Sequence, residues 1–196
     1  MVLGVAWVQG AQVGGHHPAP ADGAGVVVDD RLHDLFVGLL DRAHTPLARL
    51  LVALTAIHAV LPSQASAIPL RDLDLANGRL RLPSRTLYLD FLTAELLCAW
   101  LTHRQHTWPA CGNPHLLVSA QTALDPTGPP VSKTLLRYAI GRTGPSARAL
   151  WQDRILNEAR HSADPVRLIR LFAIADSTAM RYVQTAHPEK TGRLHP

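Results

Sequence analysis

Residues 67–89 read Ala67-Ile68-Pro69-Leu70-Arg71-Asp72-Leu73-Asp74-Leu75-Ala76-Asn77-Gly78-Arg79-Leu80-Arg81-Leu82-Pro83-Ser84-Arg85-Thr86-Leu87-Tyr88-Leu89. Asn-Gly between two alternating apolar/polar runs is a strong short hairpin signal, because both residues tolerate the positive φ that a tight turn requires. Three short strands are expected, at 67–75, 79–82 and 85–89, forming one small antiparallel sheet.

On either side of this sheet the period changes from two to 3.6. Upstream, Leu32, Leu35, Phe36, Leu39 and Leu40 form one helical stripe. Thr45-Pro46 then opens a second helix, with Thr as cap and Pro at the first helical position, running through Leu50, Leu51, Leu54 and Ile57 to Val60 until Pro62-Ser63 stops it. This helix is apolar nearly all round, so His58 on it reads as a satisfied core histidine. Downstream, Thr93 is expected to cap a helix with Leu96, Leu97, Trp100 and Leu101 inward, ended by Trp108-Pro109. A Pro/Gly-rich loop follows over 109–130, around Leu116-Leu117-Val118. Ser132 caps a helix through Leu135, Leu136, Tyr138 and Ile140, and another runs from Ser146 to about Arg160. Asp164-Pro165 starts the next, over Leu168, Ile169, Leu171 and Phe172. A break at Ala173–Asp176 leads to a last helix from Ser177 to about Ala186. The fold class is mainly α with a small antiparallel three-stranded β-sheet.

Composition agrees. The 196 residues are 47% hydrophobic and 17% charged, enough for one core, and the apolar share is carried by Leu and Ala with only ten aromatic residues. Charge is uneven. Residues 1–130 hold 8 Lys/Arg against 10 Asp/Glu, whereas residues 131–196 hold 11 against 5. The positive field of the C-terminal third suits a polyanion. Cys98 and Cys111 fit no zinc spacing, and two cysteines make no disulfide framework, so a reducing cytosol is expected and neither a metal nor another cofactor is implied. Residues 1–30, rich in Gly, Ala, Val and Pro, read as a flexible leader, even an over-extended start, in which His16-His17 is a weak ligand pair. No Lys or Arg precedes Arg31 and no apolar run reaches 18 residues, so neither a secretory signal nor a membrane span is expected. The domain expected is 31–188, with 189–196 as a tail.

The order of these elements, the Leu70-Arg71-Asp72-Leu73-Asp74-Leu75 step with the Arg85-Thr86-Leu87-Tyr88-Leu89 strand behind it, and the terminal Ser177-Thr178-Ala179-Met180-Arg181-Tyr182-Val183 together resemble the C-terminal catalytic domain of the tyrosine recombinases, the phage-integrase family. The resemblance covers roughly residues 32–188. It implies DNA recombination and integration, in which a tyrosine attacks a scissile phosphodiester to give a 3′-phosphotyrosyl link and a free 5′-hydroxyl. Tyr182 matches that nucleophile. Cations are needed because negative charge builds on the phosphoryl oxygens in the transition state.

The cationic shell departs from the family pattern. Leu61 stands where the first arginine belongs. The hairpin lysine is matched by Arg85, or by nearby Arg81, which keeps the charge but is a poor proton donor. In the His-x-x-Arg box, Arg148 stands at the histidine and Trp151 at the arginine, and Ile174 or a neighbour takes the later His/Trp place. Arg154 is available to swing in, though nothing in the sequence requires it. Loss of two arginines and a general acid slows such an enzyme by roughly 10⁴ or more, so cleavage is expected to be weak or absent. The stretch before the first helix is too short to form the family's separate core-binding domain, which implies a truncated or remnant element that binds DNA weakly.

On this resemblance the catalytic candidates are Tyr182, Arg148 and Arg85. The DNA-binding candidates are Arg81, Lys133, Arg137, Arg154 and Arg181. The expected partner is double-stranded DNA, with a second copy or a partner recombinase beside it and no membrane, in a nucleoid-associated cytoplasmic setting. Two alternatives stay open. Asp164–Gln184 also reads as a helix-turn-helix with Ser177, Thr178 and Arg181 near base edges or phosphates and Tyr182 packing beside Met180 and Val183. The chain also reads as an inactive module that contacts a partner recombinase through its last helix.

Overall fold

The computed structural model describes residues 30–188. The leader with His16-His17 and the tail lie outside them. Nine α-helices and three strands follow one another among the described residues: α1 (Asp30–Arg42), α2 (Pro46–Ala56), α3 (Pro62–Ala65), a 3₁₀ turn (Leu70–Asp72), β1 (Leu73–Asp74), β2 (Arg79–Leu82), β3 (Arg85–Tyr88), α4 (Phe91–Thr107), α5 (Ala120–Ala123), α6 (Lys133–Gly141), α7 (Ala147–Ser162), α8 (Pro165–Phe172) and α9 (Asp176–Ala186). The sheet is antiparallel in the order β1-β2-β3. Asp74 pairs with Arg79 across the Asn77-Gly78 turn, where Gly78 has φ +61°, and Leu82 pairs with Arg85 across Pro83-Ser84.

α2 is the hub. Every residue from Leu50 to Ala56 is buried, as an all-round apolar helix requires, and α1, α4, α6 and α7 pack around it. Leu80, Leu82 and Leu87 close the sheet face of this main core, and Leu116, Leu117 and Val118 thread the long loop into it. Arg104 holds that loop in place by donating to the carbonyls of Asn113, His115 and Leu116. A second, smaller core gathers Ala59, Ile155, Ala159, Leu168, Phe172 and Ala179. α7 belongs to both cores, with Ala147 and Leu150 in the first and Ile155 and Ala159 in the second.

Three boundaries differ from expectation. α2 stops at Ala56, with Ala59 in the left-handed region at φ +51°, and Pro62 begins the short α3 where a stop was expected. β1 is only two residues long, because Leu70–Asp72 forms a 3₁₀ turn. The cap of α4 is Asp90, whose carboxylate accepts from the Thr93 backbone at 2.9 Å and hydroxyl at 2.6 Å, so Thr93 is the third helical residue. On α6, Leu136 and Ile140 are buried while Leu135 and Tyr138 face outward. Among the described residues no helix is long and apolar enough to cross a membrane.

Candidate functional site

Strand alternation puts Arg85 on the same face of β3 as the buried Leu87, so its side chain enters the protein while Thr86 and Tyr88 stay outside. There its guanidinium meets the end of α2, where helix carbonyls run out of amide partners. It donates to the carbonyls of His58 and Ala59, and also to that of Leu171 at the end of α8. Burial, and then the charge of Arg154, push the Arg85 pKa down to about 10.

Arg154 approaches the same place from α7. Its Nε donates to the Ile57 carbonyl at 2.9 Å and its Nη2 to Glu158 at 2.9 Å, one helical turn away. Glu158 is fully buried and also accepts from Arg167 at 2.7 Å. Burial lowers the Arg154 pKa, and the bond to Glu158 opposes that shift. The Phe172 ring lies 5.8 Å from the Arg85 guanidinium and 5.2 Å from that of Arg154, within cation–π range of both. His58 is satisfied separately by Asp90 at 3.0 Å and Thr93 at 3.1 Å.

Tyr182, on α9, lies elsewhere, packed against Trp151 of α7, about one turn N-terminal to Arg154. Ala179 anchors α9 in the second core, and Tyr182, three residues on, is half-buried with its ring edge-to-face against Trp151 at 6.3 Å and 76°. Burial raises its phenol pKa above the ordinary value of 10.0. The charges of Arg181 and Arg148 and a hydrogen bond with Gln152 oppose the rise, and Asp153 adds to it. The structure thus brings Tyr182, Arg148 and Arg181 together, and separately brings Arg85 and Arg154 together.

Of the positions expected to carry cations, Leu61 and Ile174 are half-buried and Trp151 packs on Tyr182. Arg81 faces solvent on β2, and Lys133 and Arg137 are exposed on α6. Sequence reasoning missed a cleft of about 210 Å³ between the end of α2, β3 and the end of α8, to which Arg170 contributes. Its only sequence signal was a second arginine in the Arg167-Leu168-Ile169-Arg170 run. Among the described residues no three His, Cys, Asp or Glu side chains gather as metal ligands.

No family model and no curated protein matches the chain. Eight solved chains do match in structure. One is the crystal structure of XerA recombinase, with a TM-score of 0.65 and 15% identity over 88% of this chain and 66% of that one. This chain therefore spans just under two thirds of the length of the XerA chain. At such an identity the likeness is one of fold alone: this mainly α-helical chain with its three-stranded antiparallel sheet shares the fold of that recombinase structure.

Proposed function

We propose that this chain is a DNA-binding protein of the tyrosine-recombinase kind in which strand cleavage is impaired. The observation that carries the reading is the engagement of Arg85 and Arg154, whose guanidinium groups are bound to the carbonyls of Ile57, His58, Ala59 and Leu171 and to Glu158. A phosphoryl-transfer site needs cations preorganised toward the developing charge, and each missing donor costs about 10²–10³ in rate. The raised phenol pKa of Tyr182 also works against its ionised, nucleophilic form. DNA affinity rests on the exposed Arg81, Lys133, Arg137, Arg148 and Arg181, in a C-terminal third with a clear cationic excess. Double-stranded DNA is the partner in this reading, with a second copy or a partner recombinase beside it.

The test is a nicked suicide duplex that traps phosphotyrosyl adducts. Retention of the duplex with no adduct above background is expected, and Tyr182→Phe should leave the retention unchanged. A Tyr182-dependent covalent adduct formed at the rate of an intact recombinase overturns the reading. A second reading is favoured by the α8–α9 pair, joined by a three-residue turn with Ala173 left-handed and Ser177 and Arg181 exposed: a helix-turn-helix reader with no chemistry. It differs in requiring that the exposed α9 residues select among DNA sequences.

A further inference from the structure

We infer that Asn77, in the turn between β1 and β2, is a site of spontaneous covalent modification, at which its side-chain amide is converted through a cyclic imide to a carboxylate. The nucleophile is the backbone nitrogen of Gly78. It attacks Asn77 Cγ, so that a Gly78 N–Asn77 Cγ bond forms and the Cγ–Nδ2 bond breaks. Nδ2 leaves as ammonia, carrying the proton that the attacking nitrogen gives up. Water then opens the ring at one of its two carbonyls. Opening at Cγ gives aspartate, and opening at the backbone carbonyl gives isoaspartate, in which the main chain runs through the side-chain methylene.

The chain has three asparagines, and the other two are protected. Asn113 is buried, its Nδ2 donates to the carbonyls of Thr122 and Pro129 at 2.9 Å each, and Pro114 after it has no N–H to lose. Asn157 is buried within α7, where the next amide is fixed in helical backbone. Asn77 is exposed, lies outside both strands, and precedes a glycine, whose missing Cβ leaves the approach to Cγ unobstructed. Asp74 sets the pace. Its carboxylate accepts from the Asn77 backbone at 3.1 Å and from Nδ2 at 2.7 Å, while the Gly78 N–H donates to the Leu75 carbonyl at 3.2 Å. The native turn thus restrains both reacting groups yet leaves Asn77 open to water. Conversion undoes the restraint, because the donor Nδ2 gives way to a carboxylate oxygen that only accepts. That oxygen faces Asp74, whose pKa the Asn77 bonds hold below the ordinary carboxylate value. β1 is two residues long, and the turn that ties it to β2 then carries two like charges.

Peptide mapping by mass spectrometry, on the full chain incubated at neutral pH with and without urea, tests the site and needs no variant. Conversion at Asn77 is expected in both, slower in the native chain, where Asn113 and Asn157 stay intact. Asp74→Ala removes the acceptor and should speed native conversion about fivefold, the weight of one net hydrogen bond. Asn77→Asp supplies one product directly and should unfold at a lower urea concentration than the parent chain. A native chain that stays unmodified at Asn77 while the urea-unfolded chain converts, or one that converts first at Asn113 or Asn157, overturns the site. A native rate unchanged in Asp74→Ala overturns the part given to Asp74, and an unchanged urea midpoint in Asn77→Asp overturns the repulsion in the turn.

Discussion

At Asp90 one carboxylate caps α4 and holds the buried His58. Because an ionised carboxylate only accepts, the 3.0 Å contact assigns the proton to His58 Nε2. Burial disfavours the charged Asp90, but hydrogen bonds from His58 and from the Thr93 hydroxyl and backbone, with the nearby His58 charge, outweigh it and bring the pKa from 3.8 to about 2. A depressed folded pKa means that the stabilisation is fully present above pH 4 and is lost as pH falls from about 4 to about 2. Its size is on the order of 1–2 kcal/mol, discounted because the carboxylate is about one-third exposed and partly screened. Urea midpoints measured between pH 5 and pH 2 should therefore fall less steeply in Asp90→Asn than in the parent protein. Equal slopes would remove Asp90 from the acid response.

At the scale of elements, legibility followed the chemistry of helix ends. Thr45-Pro46 and Asp164-Pro165 carry their caps in the sequence, and each makes its bond to a first-turn backbone amide, Asp164 to Val166 at 2.8 Å for example, whereas Ser132, also expected as a cap, precedes α6 without a side-chain bond to it. Trp108-Pro109 ends α4 as expected, but three other C-terminal ends were silent. α7 and α8 close on Ala163 and Ala173 at φ +47° and +51°, and the chain leaves α2 through Ala59 at +51°, positions where glycine would have announced a stop. With no glycine to read, the end of α2 was assigned to Pro62, and the proline begins a helix instead. Left-handed alanine costs about 1–2 kcal/mol, and glycine recovers part of that after its larger unfolded-state entropy is subtracted. Ala173→Gly, at an exposed position, should raise stability by about 0.5–1 kcal/mol in a denaturant melt. A loss of stability there would mean that the turn into α9 depends on the alanine methyl group.

For the molecule as a whole, the sequence carried the direction of Arg85 but not what surrounds it. The pattern of β3 already sends Arg85 inward with Leu87. What it meets there are carbonyls 27 and 86 residues away, and no local period encodes such contacts. The cleft beside Arg170 is assembled from the end of α2, β3, α7 and α8 and was invisible for the same reason. The charge asymmetry was legible in full, and it makes a claim about the whole surface. If Lys133 on α6 and Arg181 on α9, both exposed, each neutralise one phosphate, each releases condensed counterions and contributes roughly 0.9 to the slope of log K against log salt. Lys133→Ala and Arg181→Ala should therefore each lower that slope by about 1, weakening all duplex sequences alike, and the double variant should lower it by about 2, since residues on separate helices add independently. Fluorescence anisotropy across a salt series measures this directly. A slope unchanged in the double variant would place the DNA-binding face elsewhere, whereas a loss confined to one sequence in Arg181→Ala would favour α9 as a reader of base edges.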